Sequence, residues 1–416
     1  MVKRDSDLVV RASPMRRNAQ SIVRPVHGAV FALLVLAGCG DVARDTESRS
    51  NTWSTSTTTI GDTVVARTSG PVATTGSHQL AEVWRVGDPD ALDSTITFGR
   101  VSAFAVNRDN TIAVFDPTGP TLRLYDASGR YVRTIGRNGA GPGEYASANG
   151  LAFLADGRLA IWDAPTSRIT LFRETGEVDR EWRPPVTGWS MSNAVSPVTE
   201  HALAIRAGIA DTTRKDGNGL SRQRGAYFLY DSAGLVVDPL IWPAPSREPA
   251  MLVARSKSSM AMYSVPFTSG QPSTLLANGR LAVGEGDAYR IHVSGGATPL
   301  RIERAAAREQ VNSAERDEQR AIVERNMTDI DSEWRWSGPQ IPSVKPLLTA
   351  LTGDADGRLW VRVSAPGEQI PEAERDTPRP SAPDAPPPIV RAWREPIWYD
   401  VFAIDGRMLG RIVMPP

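Results

Sequence analysis

The feature that most constrains this chain is an internal repeat. The unit is an apolar strand, a turn marked by Gly or Asn, a second apolar strand, and then a strand–turn–strand hairpin. The clearest copy reads VSAFAV-NRDN-TIAVFD and then TLRLYD-ASG-RYVRTIG, over residues 101–136. A second reads GLAFLADGRLAIWD and RITLFRETGEVDREW, over 150–182. A weaker third contains HALAIRAG and AYFLYDSAGLVVDPLIW. The fourth contains STLLANGRLAVG and AYRIHVSGGATPLRIE, and the fifth LTALTGDADGRLWVRV and IWYDVFAIDGRMLGRIVM. With the strands named a to d, the a–b turns fall at Asn110, Gly157, about His201, Gly279 and Gly357. The c–d turns fall at Gly129, Gly176, Gly234, Gly296 and Gly406.

The b strands TIAVF, RLAIW and RLAVG are apolar on both faces, which fits a sheet held between two neighbours. The c strands alternate better, with Leu122 and Leu124 set against Arg123 and Tyr125. Four-stranded units of roughly 40–50 residues packed radially give an all-β propeller, which leaves few open strand edges. Five copies are clear. Residues 57–67 and 79–87 supply further strands, for a sixth blade or for closing the ring, and six blades are expected. The composition agrees: Pro 32 and Gly 35 suit many turns and argue against a helical bundle.

Charge and motif content narrow the function. Lys+Arg and Asp+Glu are 47 each, so the 416-residue chain has no net charge and no broad basic field for nucleic acid. Only Lys3, Lys215, Lys257 and Lys345 are lysines. The arginine excess reads as a coding bias, and lone arginine clusters are discounted. HExxH, CxxC, G-x-S-x-G and the P-loop pattern are absent, and Cys39 is the one cysteine.

Residues 29–37, AVFALLVLA, follow several arginines. The run is too short to span a bilayer, which takes about 20 residues, and has the length of a signal-peptide core. It ends in Leu36-Ala37-Gly38-Cys39, which resembles a bacterial lipobox. The match implies cleavage before Cys39 and lipidation of its thiol by acyl chains such as palmitate. Residues 1–38 are therefore expected to be a signal peptide, with Met15 a candidate start. Residues 39–56 are expected to be a polar tether, and 57–416 the propeller.

FGRVSAFAV, DASGRYVRTIGRNGAGPGEY, LADGRLAIWD and WRWSGPQIPSVKP resemble the bacterial six-bladed β-propeller lipoproteins, within the broader NHL-repeat-like propellers. The resemblance covers roughly residues 95–415. The third copy departs from it, lacking a turn glycine near residue 201. The resemblance implies an envelope protein but no single activity. The outer membrane, facing periplasm or surface, is favoured over the inner membrane because Gly40 rather than Asp follows the cysteine.

Strands in a blade alternate in direction. The a–b and c–d turns therefore share one rim, and the b–c and d–a connections share the other. The insertions, at about 208–225, 243–272, 304–346 and 364–394, are all of the second kind. Insertions gathered on one face mark a binding face. Segment 304–346 opens with a helix signal, RAAAREQVNSAERDEQRAIVERNM. Its expected apolar stripe is Ala307, Val311, Ala314, Ala321 and Ile322, packing on the rim or forming a lid. RDTPRPSAPDAPPPIV reads as a solvated Pro-rich loop.

Trp182, Trp189, Trp242, Trp334, Trp336 and Trp393 fall in or beside inserted-rim segments. They are either platforms for a ligand or plugs between blades. The candidate binding residues are Trp334, Arg335, Trp336, Lys345 and Trp393, with Arg137 and Glu144 in the loop GRNGAGPGEY. That loop is either an anion nest or an inter-blade turn in which Glu144 accepts backbone hydrogen bonds. Asp354, Asp356 and Gly357 resemble part of a calcium loop. Val363 stands where its bidentate Glu belongs, so a hairpin turn is expected. His201 and His292 read as packing residues. The expected function is non-enzymatic binding of an envelope protein or glycan through the inserted rim, without cofactor or nucleic acid. The alternative is a metal-dependent lyase or lactonase-like hydrolase with its site in the central channel, as in related propellers; no catalytic residue is assigned for it.

Overall fold

A computed structural model describes residues 53–72, 84–87, 93–184, 195–199, 202–215, 221–231, 233–234, 236–244, 251–354, 356–375 and 389–414. Among these, five antiparallel four-strand blades follow one another in the order of the repeats; four are separate sheets, and the fourth blade is part of a six-stranded sheet. Blade I is Ala103–Val106, Ile112–Asp116, Thr121–Tyr125 and Tyr131–Ile135. Blade II is Ala148–Phe153, Leu159–Asp163, Arg168–Phe172 and Val178–Trp182. Blade III is Val195–Thr199, Ala202–Lys215, Ser221–Tyr230 and Val236–Ile241. Blade IV is Ser273–Leu275, Leu281–Glu285, Arg290–Ser294 and Leu300–Arg304. Blade V is Leu348–Gly353, Leu359–Val363, Trp398–Phe402 and Met408–Val413.

The core lies between the sheets. Phe115 and Leu122 of blade I meet Leu151 and Ile161 of blade II. Trp162 and Leu171 meet Leu203 and Tyr230 of blade III. Ala204 and Tyr227 meet Leu281 and Val283 of blade IV. Ile291 and Ile302 meet Val361 and Phe402 of blade V. This face-to-face stacking is why strands such as Ile112–Asp116 and Leu159–Asp163 are buried along their whole length.

The turns are set by backbone geometry. Asn110, Gly157, Gly279 and Gly357 close the a–b turns with positive φ, each N–H donating to the carbonyl three residues back. In the fourth c–d turn the left-handed residue is Gly295 (φ 87°), one place before the expected Gly296. Two b strands end in a buried aspartate that the sequence reading passed over. Asp116 accepts the N–H groups of Gly99 (2.8 Å) and Thr118 (2.9 Å), and Asp163 those of Ala146 (2.9 Å) and Ser147 (3.0 Å). Each carboxylate thus pins the chain as it enters its own blade.

Residues 57–67 lie on the outside of blade IV. Ser54–Ile60 and Thr63–Ser69 form a hairpin whose second strand runs parallel to Leu300–Arg304, from Val64↔Leu300 to Thr68↔Arg304. Trp53 and Ala66 join the IV–V core. Gly406 (φ 85°) lets the last c–d turn close on this hairpin, since a Cβ there would lie 2.8 Å from the Ala66 Cβ. Of the second expected strand region, 79–83 lies outside the described residues. Trp84, Val86, Ile96 and Phe98 pack instead on the other face of blade I, against Ile112, Val114 and Tyr125.

The insertions take definite forms. The 208–225 segment continues the blade III ladder as far as Lys215↔Ser221. Within 243–272, Met251–Arg255 pairs with Met260–Ser264. Within 304–346 the helix spans Ser313–Thr328, shorter than the sequence signal, because Asn312 caps it by accepting the Ala314 N–H at 2.8 Å. Its buried face carries Glu315, Val323 and Met327, so the expected stripe is not the packed one, and Ala314 and Ala321 are exposed. Within 364–394, Glu368–Gln369 pairs with Trp393–Arg394, and the Pro-rich run at 376–388 lies outside the described residues. No described helix is long and apolar enough to cross a membrane.

Burial holds the phenols of Tyr125, Tyr145 and Tyr230 up at about 12. The neutral form is the one that fits the core, so their contribution is intact below pH 10 and lost as pH rises towards 12. An ultraviolet titration should find these three silent in the native chain and released together on alkaline unfolding. Ionisation of every tyrosine near pH 10 with native circular dichroism would contradict the packing.

Candidate functional site: the inserted rim

Two insertions from different links, 243–272 and 304–346, collapse into one cap. Its core is Leu252, Ala254 and Val265 from the 251–264 hairpin and its exit, Val323 and Met327 from the helix, and Trp334 and Ile341 from the segment after it. A two-stranded hairpin is marginal alone, so it depends on this support. The Trp334 indole N–H donates to the Val253 carbonyl at 3.0 Å, and its ring meets Trp336 edge-on at 6.2 Å. The Arg320 guanidinium lies 5.0 Å from the Trp336 ring centroid.

A buried ammonium ties the cap to the blades. Lys345 has no exposed surface. Its Nζ donates to Glu315 Oε1 at 2.7 Å, Glu395 Oε2 at 2.8 Å and the Ala365 carbonyl at 3.0 Å. All three N–H groups are satisfied, and the Phe267 ring covers the group at 5.2 Å. The helix, the blade V insertion and the entry to blade V thus share one ion cluster. Nearby, Glu318 accepts the Ala392 N–H at 2.6 Å.

The outer surface of the cap is apolar where it projects. Strand alternation puts Leu252 and Ala254 inward, and Met251, Val253, Met260 and Met262 outward, between 39% and 58% exposed. Arg255 and Lys257 stand exposed at the tip, and residues 251–264 contain no acidic side chain. The alternation in MLVAR and MAMYS could have shown this face. Its exposure depends on how the hairpin sits on the helix, which is a tertiary matter.

Residues 94–190 match the DUF5128 family model, described as a 6-bladed beta-propeller. The chain has a β-propeller fold. No curated protein matches it. Similar solved structures include a Bacteroides fragilis protein described as exported, 11% identical, with TM-score 0.37, covering 78% of this chain and 73% of that one. A DUF4221 family member from Bacteroides vulgatus is 11% identical, with TM-score 0.42 and coverage of 78% and 83%. A gluconolactonase from Xanthomonas campestris is 11% identical, with TM-score 0.32 and coverage of 76% of each chain.

The propeller distributes the sequence candidates unevenly. Trp334 and Lys345 are buried inside the cap, Trp336 and Trp393 are half-buried, and Arg335 is exposed with its Nη1 donating to the Trp334 carbonyl at 2.8 Å. These five belong to one assembly. Arg137 and Glu144 stand apart in the blade I–II link, paired at 2.7 Å. Glu144 also accepts the Gly141 N–H at 2.8 Å, and the Gly143 N–H goes to Glu181 at 2.8 Å. The Gly141 N–H, then the Arg137 guanidinium, hold the Glu144 carboxyl below its usual range. Glu144 of the loop and Glu181 of blade II therefore take the N–H groups that an anion nest would offer.

Trp182 is half-buried against Gly234, and Trp242 is buried beneath the Arg206 guanidinium. His292 pairs with Glu285 at 2.9 Å. Asp354 accepts the N–H groups of Asp356 (3.0 Å) and Arg358 (2.8 Å), which makes it a turn residue. Cys39, Trp189 and His201 lie outside the described residues. The first strands of the blades, AFAV, ANGLAF, VSPVT, STL and LTALTG, carry no ionisable side chain. Among the described residues no three His, Cys, Asp or Glu come together as a metal site.

Proposed function

We propose that this propeller is held at the cell envelope by an acyl chain on Cys39, facing away from the cytoplasm, with the outer membrane as its site. There it binds an envelope protein or glycan through the inserted rim, without catalysing a reaction. The observation that carries the reading is the outward face of Met251, Val253, Met260 and Met262 on a hairpin braced from beneath by Trp334. Exposed apolar patches of this kind mark interaction sites, and methionine side chains adapt to varied partner surfaces. The face favours a protein over a glycan, because its exposed side chains are aliphatic and thioether groups, and Trp334 is turned inward. The first strands of the five described blades carry no ionisable group, which supports binding over a lyase or lactonase site among those strands.

A photo-reactive residue at Met260 should give a discrete adduct in intact cells, and the same residue at Arg130, in an exposed c–d turn on the opposite rim, should not. Met251→Ser with Met262→Ser should abolish the adduct while moving stability by only about 0.5 kcal/mol, as exposed substitutions do. Equal adducts from both rims, or none from Met260, would remove the basis for this reading. A melting temperature that falls with chelator and returns with one metal would move the search to the central channel.

A further inference from the structure

A second place in the fold is built to hold something smaller. On the inserted rim, at the seam between blades IV and V, lies a cavity of about 350 Å³. Pro71, after the N-terminal hairpin, forms one wall, and Ala307 and Ser364 stand at others. Arg304 and Arg411 line it, and behind them Asp400 is wholly buried. Asp400 accepts from Arg304 Nη1 at 2.7 Å, Arg411 Nε at 2.7 Å and the Tyr289 hydroxyl at 2.7 Å.

One carboxylate faces two guanidiniums, so the cluster keeps a positive charge. The Arg304 side chain is 8% exposed, and its Nε is buried with no hydrogen-bond partner. A buried donor left unmade is costly, by about 1–3 kcal/mol, and such an atom beside a cavity points to an acceptor arriving from outside. Glu309 lines the same cavity, and its carboxylate has no hydrogen bond or ion pair among the described residues. Leu347 and Val363 supply an apolar side. The cavity thus offers a positive corner, a negative group and an apolar wall, in a volume at the small-ligand end of the usual range.

We propose that this cavity binds a free α-amino acid with an apolar side chain. Its carboxylate lies against Arg304 and Arg411, its ammonium against Glu309, and its side chain against Leu347 and Val363. The site is separate from the Met251–Met262 face, so it stands or falls independently of the rim's partner.

Calorimetry of the full chain with L-leucine tests it, beside 4-methylpentanoate, which lacks the ammonium, 3-methylbutylamine, which lacks the carboxylate, and inorganic phosphate. Leucine should bind with Kd of about 1 mM or tighter, and each control at least about tenfold more weakly. Glu309→Gln should weaken leucine by about tenfold and leave 4-methylpentanoate unchanged. Arg304→Gln risks the fold by stranding Asp400, so Ala307→Trp serves as the second variant. It fills the cavity without touching the charges, and should abolish leucine binding with circular dichroism unchanged. No heat with leucine, 4-methylpentanoate binding as tightly as leucine, phosphate binding more tightly, or undiminished binding to Ala307→Trp would each overturn the proposal.

Discussion

Replacing Lys345 with alanine should cost the fold about 3–5 kcal/mol, the range for breaking a buried ion cluster by removing one partner. The ammonium is wholly buried and serves Glu315, Glu395 and a backbone carbonyl at once. Without it Glu315, itself buried and with Oε2 already lacking a hydrogen-bond partner, keeps a charge with no counter-charge. The damage should begin at the rim, because the helix Ser313–Thr328 is held to blade V through this group. Hydrogen exchange should show the helix amides losing protection before those of Leu159–Asp163. Lys345→Met with Glu315→Leu should recover much of the loss, since replacing a whole buried pair by apolar groups is often neutral. A single variant within about 1 kcal/mol of the parent would mean that the cluster is wetter than its geometry shows.

Asp400→Ala should cost a similar amount, about 3–5 kcal/mol, for the opposite reason. Here the lost group is the anion. Arg304 and Arg411 are then left facing each other, and the Tyr289 hydroxyl loses its acceptor. Trp53 and Ala66 share the IV–V core with Tyr289, so the N-terminal hairpin should loosen in the same step. Limited proteolysis between Ser54 and Ser69 should therefore speed up in Asp400→Ala and stay unchanged in Lys345→Ala. Equal nicking in both variants would show that the two clusters fail together.

The two predictions also show where the sequence could and could not be read. Blades I, II and IV are legible because each is closed locally: a glycine or asparagine in the turn, apolar residues on both faces of the b strand, and partners within twenty residues. The rim carrying the insertions follows from counting strands. What could not be read depends on distant partners. Asp400, in WYDVF, looks like the polar member of an alternating strand, and its partners Arg304 and Tyr289 lie 96 and 111 residues away. Lys345, in PSVKPL, reads as a rim cation available to a ligand until Glu315 and Glu395, 30 and 50 residues off, close around it. TVVARTS reads as a strand, yet nothing in it names Leu300–Arg304 as its neighbour. Trp334 reads in the sequence as either a ligand platform or a plug; it lies inside the cap, and the hairpin it holds up supplies the exposed surface.

The parallel pairing of the N-terminal hairpin also fixes where the chain enters the propeller. Ser54 sits opposite Ser69, one residue beyond the point where Thr68 meets Arg304, so the first strand begins beside the departure of the 304–346 insertion. Cys39 precedes Trp53 by fourteen residues, which at full extension spans no more than about 50 Å. An acyl anchor on that cysteine would therefore act as a short leash on the capped side. The smooth rim would be free to look away, while the methionine hairpin searches a shell one leash-length deep above the bilayer. A partner would have to sit in that same membrane, or come within that distance of it, to be caught.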